Sequence, residues 1–159
     1  MCGYSKGPMS AENLMLIGPF SLYGCLSDEN MLKYLKTQNY EVLDLGTKSK
    51  EKADYSKYGI LLGETVKDKK ADLGIALCGT GIGISIACNK VKGIICAKVS
   101  NKKEARLAKE HNHANIIALS GEMSKLKTKQ IIKTFLSSQE NNQEKYIKRI
   151  NQIKEYENG

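Results

Sequence analysis

Between Leu14 and Ser138 short apolar runs alternate with amphipathic ones, and this rhythm limits the fold more than any other feature of the chain. LMLIG (14–18), YEVLDLG (40–46), DLGIALC (72–78), GIICAKV (93–99) and ANIIALS (114–120) have the length and apolar content of strands. LSDENMLKYLKTQ (26–38), DYSKYGILLGETVKDKK (54–70), IGISIACNK (82–90), NKKEARLAKEHN (101–112) and KLKTKQIIKTFLSS (125–138) follow them as helices. Ser27 is placed to cap the first helix, with Leu32 and Leu35 inward; Ile131, Ile132 and Phe135 face inward in the fifth. Strands joined through helices pair in parallel, and the helices then cover the sheet. The expectation is an α/β fold: a single-domain three-layer sandwich with a five-stranded parallel, Rossmann-like sheet and helices on both faces. EKYIKRINQIKEY (144–156) adds an extra C-terminal helix whose Ile147, Ile150 and Ile153 form an apolar stripe suited to a partner. Residues 1–13 read as a flexible leader and 14–156 as the domain.

A chain of 159 residues is long enough for one domain with a real core. No apolar run is long enough to cross a bilayer, and MCGYSKGPMSAEN lacks the apolar centre of a signal peptide. A cytoplasmic protein with no membrane partner is expected. The cysteines, Cys2, Cys25, Cys78, Cys88 and Cys96, are odd in number and contain no C-x-x-C pair. They point away from a disulfide framework or a zinc site and toward reduced thiols. A net charge of +8 raises nucleic acid as a partner. The lysines are interleaved with glutamates, as in NKKEARLAKE, and two Phe and no Trp leave little to stack on bases. The composition therefore argues against nucleic acid and for a basic surface that attracts anionic metabolites.

The segment LGIALCGTGIGISIACNK (73–90) carries the chemistry. In open parallel sheets ligands bind at the carboxyl ends of the strands, and Cys78 closes the third strand. Gly79, Gly81 and Gly83 follow at alternate positions. Glycines permit positive φ and let backbone amides converge on an anion. No Gly-Lys-Ser/Thr follows, so this is not a nucleotide P-loop; the G-x-G-x-G spacing after the third strand is not the dinucleotide fingerprint either. A tight strand-to-helix turn is the alternative reading. The thiol adds a second possibility. Amides and a helix start beside it favour thiolate, which can serve as a general base. The same amides can stabilise an oxyanion, so one loop could serve proton abstraction next to a carbonyl.

ADLGIALCGTGIGISIACNKVKGI followed by ARLAKEHNHANIIALSG, with YEVLDLGT and DYSKYG upstream, resembles the ribose-5-phosphate isomerase B and galactose-6-phosphate isomerase family. The resemblance runs through residues 14–154. It implies an aldose–ketose isomerase that needs no cofactor and no metal, built as a homodimer or homotetramer with active sites shared between subunits. Cys78 is then the base that moves a proton between C1 and C2 through an enediolate. Amides from Gly79 through Gly81 to Gly83 hold that enediolate, with Thr80 close by. His111 helps open the sugar ring, with Asn112 beside it, and Tyr55 and Ser21 fall at substrate-binding positions. Lys145 and Arg149 stand for two family arginines that hold the phosphate. The chain departs from the family at Ser21 and Leu22, where relatives have Asp-His, at Glu122, where relatives often have arginine, and at His113, where Asp is usual. His113 reads as an ordinary core or surface histidine. The departures keep open a galactose-6-phosphate or other hexose-phosphate isomerase, and a non-catalytic sugar-phosphate-binding member.

Overall fold

The computed structural model describes residues 13–17, 29–46 and 54–159, with residues 13–17 and 29–32 given as backbone alone. Most of the expected leader, the Ser27 cap, Ser21 and Leu22 lie outside the described residues. The strands are β1 (Asn13–Ile17), β2 (Glu41–Asp44), β3 (Leu73–Cys78), β4 (Cys96–Lys98) and β5 (Ile116–Ser120). The helices are α1 (Glu29–Thr37), α2 (Tyr55–Lys67), α3 (Ile82–Cys88), α4 (Lys102–Asn112), α5 (Lys125–Ser137) and α6 (Glu144–Asn158). The strands form one parallel sheet in the order β2-β1-β3-β5-β4. This is the open α/β architecture that the alternation of runs implies. The order reverses between β1 and β3, so the crevice for a ligand opens at the carboxyl end of β3, the central strand.

The layers follow from the period of two along each strand. Leu73, Ile75 and Leu77 of β3, with Ile117 and Leu119 of β5, pack against Leu35 of α1, Ala105 and Ala108 of α4, and Ile131, Ile132 and Phe135 of α5. Ala76 and Cys78, with Ile116 and Ala118, face the other way onto Leu62 and Val66 of α2 and Ile84 and Cys88 of α3. Both faces of β3 are buried, which explains its unbroken apolar run.

Caps confirm the helix starts. Asn101 accepts the Glu104 amide at 2.9 Å while the Glu104 carboxylate accepts the Ser100 amide, a reciprocal box at the start of α4. Ser124 accepts the Lys127 amide at the start of α5. The fourth strand is shorter than GIICAKV suggests. Gly93 sits at φ +84°, and side chains of Asn115 and Asn89 take the Ile95 and Cys96 amides, so regular pairing begins only at Cys96. α6 runs along the amino edge of the sheet: Tyr146 stacks on His111, and the Glu157 carboxylate accepts the Gly93 amide at 2.9 Å. Ile150 is buried within the chain, so of the expected stripe only Ile153, 56% exposed, is largely open. No described helix is long and apolar enough to cross a membrane.

Candidate active site

The loop after β3 holds the thiol in a defined setting. Gly81 takes φ +78°, a left-handed conformation that glycine adopts without strain. That turn brings the Gly81 amide back onto Cys78, to which it donates at 3.1 Å from Sγ. A Cβ at Gly81 would also meet the Leu119 carbonyl carbon at 2.9 Å, so the loop lies directly on the backbone of β5. Gly83 is needed for space: a Cβ there would fall 2.6 Å from the Tyr55 ring at the start of α2. Tyr55 is itself 46% exposed and forms one wall beside the loop. Gly79 has open space around it.

The amides of the run from Gly79 to Gly83 are not equivalent. Gly81 N–H is committed to Sγ and Ile82 N–H to the Thr80 hydroxyl oxygen at 3.2 Å. Among the described residues, the amides of Gly79 and Thr80 donate to no protein group. They flank the thiol and, like the Gly83 amide, are open to a bound anion.

The remaining sequence-derived residues stand elsewhere in the same chain. α4 carries the chain from the carboxyl end of β4 to the amino end of β5, so His111 and Asn112 lie at the opposite edge of the sheet from Cys78. The length of β5 alone, from Ile116 beside Gly74 to Ser120 beside Cys78, separates the edges by roughly 13 Å. His111 is gripped there by Tyr146, with ring centroids 4.2 Å apart and the phenol oxygen 2.9 Å from Nε2. Lys145 neighbours Tyr146, and Arg149 lies one turn further along α6, so both belong to this amino-edge group. One chain thus brings together Cys78, Gly79, Thr80, Gly81, Gly83 and Tyr55, and separately His111, Asn112, Lys145 and Arg149. His113 has a structural place: it ends α4 at φ +51°, with Nε2 at 3.1 Å from the Asn141 carbonyl and Nδ1 at 3.5 Å from Glu140. Among the described residues no cluster of three His, Cys, Asp or Glu side chains could hold a metal.

Residues 23–153 match the Ribose/Galactose Isomerase family. The chain belongs to that family. A Mycoplasma pneumoniae relative named "Probable ribose-5-phosphate isomerase B" is 43% identical over 91 residues; the match covers 57% of this chain and 60% of that protein. Galactose-6-phosphate isomerase subunit LacB of Clostridium acetobutylicum is 40% identical over 132 residues, 80% of this chain and 76% of its own. Among solved structures, ribose-5-phosphate isomerase B from Mycoplasma genitalium with bound ribulose-5-phosphate superposes with a TM-score of 0.83 at 32% identity, covering 95% of this chain and 99% of that one. As a member of that family, the chain presents the glycine loop at the end of the central strand of its sheet.

Two residues that sequence reasoning passed over belong with these groups. Tyr146 grips His111, and Ser120, the register partner of Cys78, donates its hydroxyl to the Gly79 carbonyl at 2.6 Å. Neither carries a sequence signal, because each acts through a neighbour that only the fold supplies.

Proposed function

We propose that the chain is a cofactor-independent aldose–ketose isomerase of a sugar phosphate, ribose-5-phosphate isomerase B-like, with Cys78 as the base. The observation that carries this reading is the arrangement at the end of β3: a thiol held by the Gly81 amide, flanked by two amides with no protein partner among the described residues. With an open-chain aldose seated there, the Cys78 thiolate takes the proton from C2. The C–H electrons form the C1–C2 double bond, and the carbonyl electrons pass to O1, where the Gly79 and Thr80 amides meet the developing charge. The proton then returns from Sγ to C1 while the O2 proton passes to O1, leaving the ketose carbonyl at C2.

His111 opens the ring, Asn112 stands beside it, and Lys145 and Arg149 hold the phosphate. Their distance from Cys78 within one chain supports a homodimer, or a homotetramer built from it, in which these residues serve the thiol of a second copy. Ser21 completes the substrate contacts. The setting is the cytoplasm and the ligand a diffusible metabolite, with no nucleic acid or membrane involved.

A second reading concerns the sugar. Glu122 is exposed at the carboxyl edge, where a carboxylate repels a phosphate dianion, and Leu22 offers no hydrogen bond. Together with the likeness to the LacB subunit, this favours a hexose phosphate whose phosphate lies toward Lys145 and Arg149; loss of turnover altogether would leave a sugar-phosphate-binding protein.

The test is an isomerisation screen over ribose-5-, allose-6- and galactose-6-phosphate. Wild-type protein interconverts one of them, and Cys78→Ala and Cys78→Ser abolish the reaction while keeping the fold. Turnover that survives either substitution removes Cys78 as the base. Binding without turnover by the wild type leaves the non-catalytic reading.

A further inference from the structure

The end of β5 bears on the thiol loop through a pair of clamps. Gly121 N–H donates to the Cys78 carbonyl at 2.8 Å, and the Ser120 hydroxyl donates to the Gly79 carbonyl at 2.6 Å. The same hydroxyl oxygen accepts the Glu122 amide at 3.2 Å, which ties the turn after β5 to the loop after β3. In a planar trans peptide the N–H points opposite to the carbonyl of the residue before it. Holding the Cys78 carbonyl toward β5 therefore turns Gly79 N–H away from β5. Holding the Gly79 carbonyl toward Ser120 turns Thr80 N–H away in the same manner. Neither of these amides has a protein partner among the described residues. The first clamp is backbone and any residue at 121 other than proline could make it; the second exists because residue 120 carries a hydroxyl.

We propose that Ser120 is a positioning residue for proton transfer: by donating its hydroxyl to the Gly79 carbonyl it sets the Gly79–Thr80 peptide so that Thr80 N–H meets the enediolate oxygen. The assignment rests on the isomerase reading above. Residue 79 is glycine, whose backbone is restricted least of any residue, so without the clamp the Gly79–Thr80 peptide has wide freedom to turn. A donor that averages over several directions stabilises the developing charge less, whereas the phosphate contacts that dominate ground-state binding are untouched. Loss of the clamp should therefore act on kcat and spare KM.

The experiment compares wild type, Ser120→Ala and Ser120→Thr in steady-state kinetics on the aldose phosphate that the wild type turns over. The 13C shift of the Gly79 carbonyl, read by NMR in each protein, reports the clamp directly and needs no turnover. Ser120→Ala lowers kcat by about tenfold or more, with KM changed by less than about twofold, and moves the Gly79 carbonyl shift. Ser120→Thr, which keeps the hydroxyl, retains the carbonyl shift and most of kcat. A wild-type kcat in Ser120→Ala, a fall expressed in KM instead, or an unmoved Gly79 carbonyl overturns the assignment. A wild type inactive on every sugar phosphate overturns the isomerase reading itself.

Discussion

Cys78, Cys88 and Cys96 share one face of the sheet, and their surroundings divide their chemistry. Cys78 receives a backbone amide on its sulfur. Cys96 instead has the Cys88 thiol as hydrogen-bond partner in a dry interior; this contact first, and burial second, push its ionisation far above the ordinary thiol range. The consequence for stability has a definite sign. Below about pH 9 folded and unfolded chains both keep the Cys96 proton. Above that value the unfolded chain releases it and the folded chain does not, so stability falls as pH rises, by up to about 1.4 kcal/mol per pH unit. Urea midpoints measured from pH 8 to 10 should therefore drop more steeply for the wild type than for Cys96→Val. Parallel slopes in the two proteins would mean that Cys96 ionises as an exposed thiol does. The place of Cys78 was legible from its position at a strand end before three glycines. The hydroxyls of Ser120 and Tyr146 were not, because a hydroxyl gains a role from the carbonyl or ring that register and helix crossing put beside it.

The helices show where periodicity suffices and where it does not. Leu35, Ile131, Ile132 and Phe135 are wholly buried, as their spacing indicates, because a helix face is set by local geometry alone. α2 contains two internal glycines, Gly59 and Gly63, which lower its intrinsic helix propensity. They are the contact surface with α3. A Cβ at Gly59 would lie 2.7 Å from the Ala87 Cβ and 3.0 Å from the Ile84 carbonyl oxygen, and one at Gly63 would lie 2.7 Å from Val91. No reading of one segment reveals a contact of this kind, since it belongs to a crossing between two. Intrinsic propensity favours Gly59→Ala by about 1 kcal/mol. Overpacking against a backbone oxygen opposes it by about 1–3 kcal/mol, so the substitution should destabilise the protein on balance. Chemical denaturation decides the sign. A Gly59→Ala protein as stable as the wild type would show that α2 and α3 separate without penalty. Because α3 follows directly from the thiol loop, the same substitution should also impair turnover.

At the scale of the whole molecule, the decisive fact is that one chain keeps its thiol and its imidazole on opposite edges of the sheet. Every strand runs the same way, so each crossover helix must end at the amino edge; no rotamer change in α4 can bring His111 to Cys78. If the imidazole serves the thiol at all, it serves that of another copy. In a two-fold dimer each composite site takes Cys78 from one chain and His111 from the other. Cys78→Ala and His111→Ala homodimers then have no complete site. In a mixed dimer one site combines the intact Cys78 of the His111→Ala chain with the intact His111 of the Cys78→Ala chain, while the second site lacks both. Equal mixing with random re-pairing makes half of the dimers mixed, and half of their sites intact, so about a quarter of wild-type activity should return. The measurement is turnover after co-refolding the two inactive proteins, with each refolded alone as control. Recovery near a quarter fits alternate-edge sharing. A mixture as inactive as its components, in dimers shown by light scattering to have exchanged chains, would overturn the sharing of Cys78 and His111 between copies.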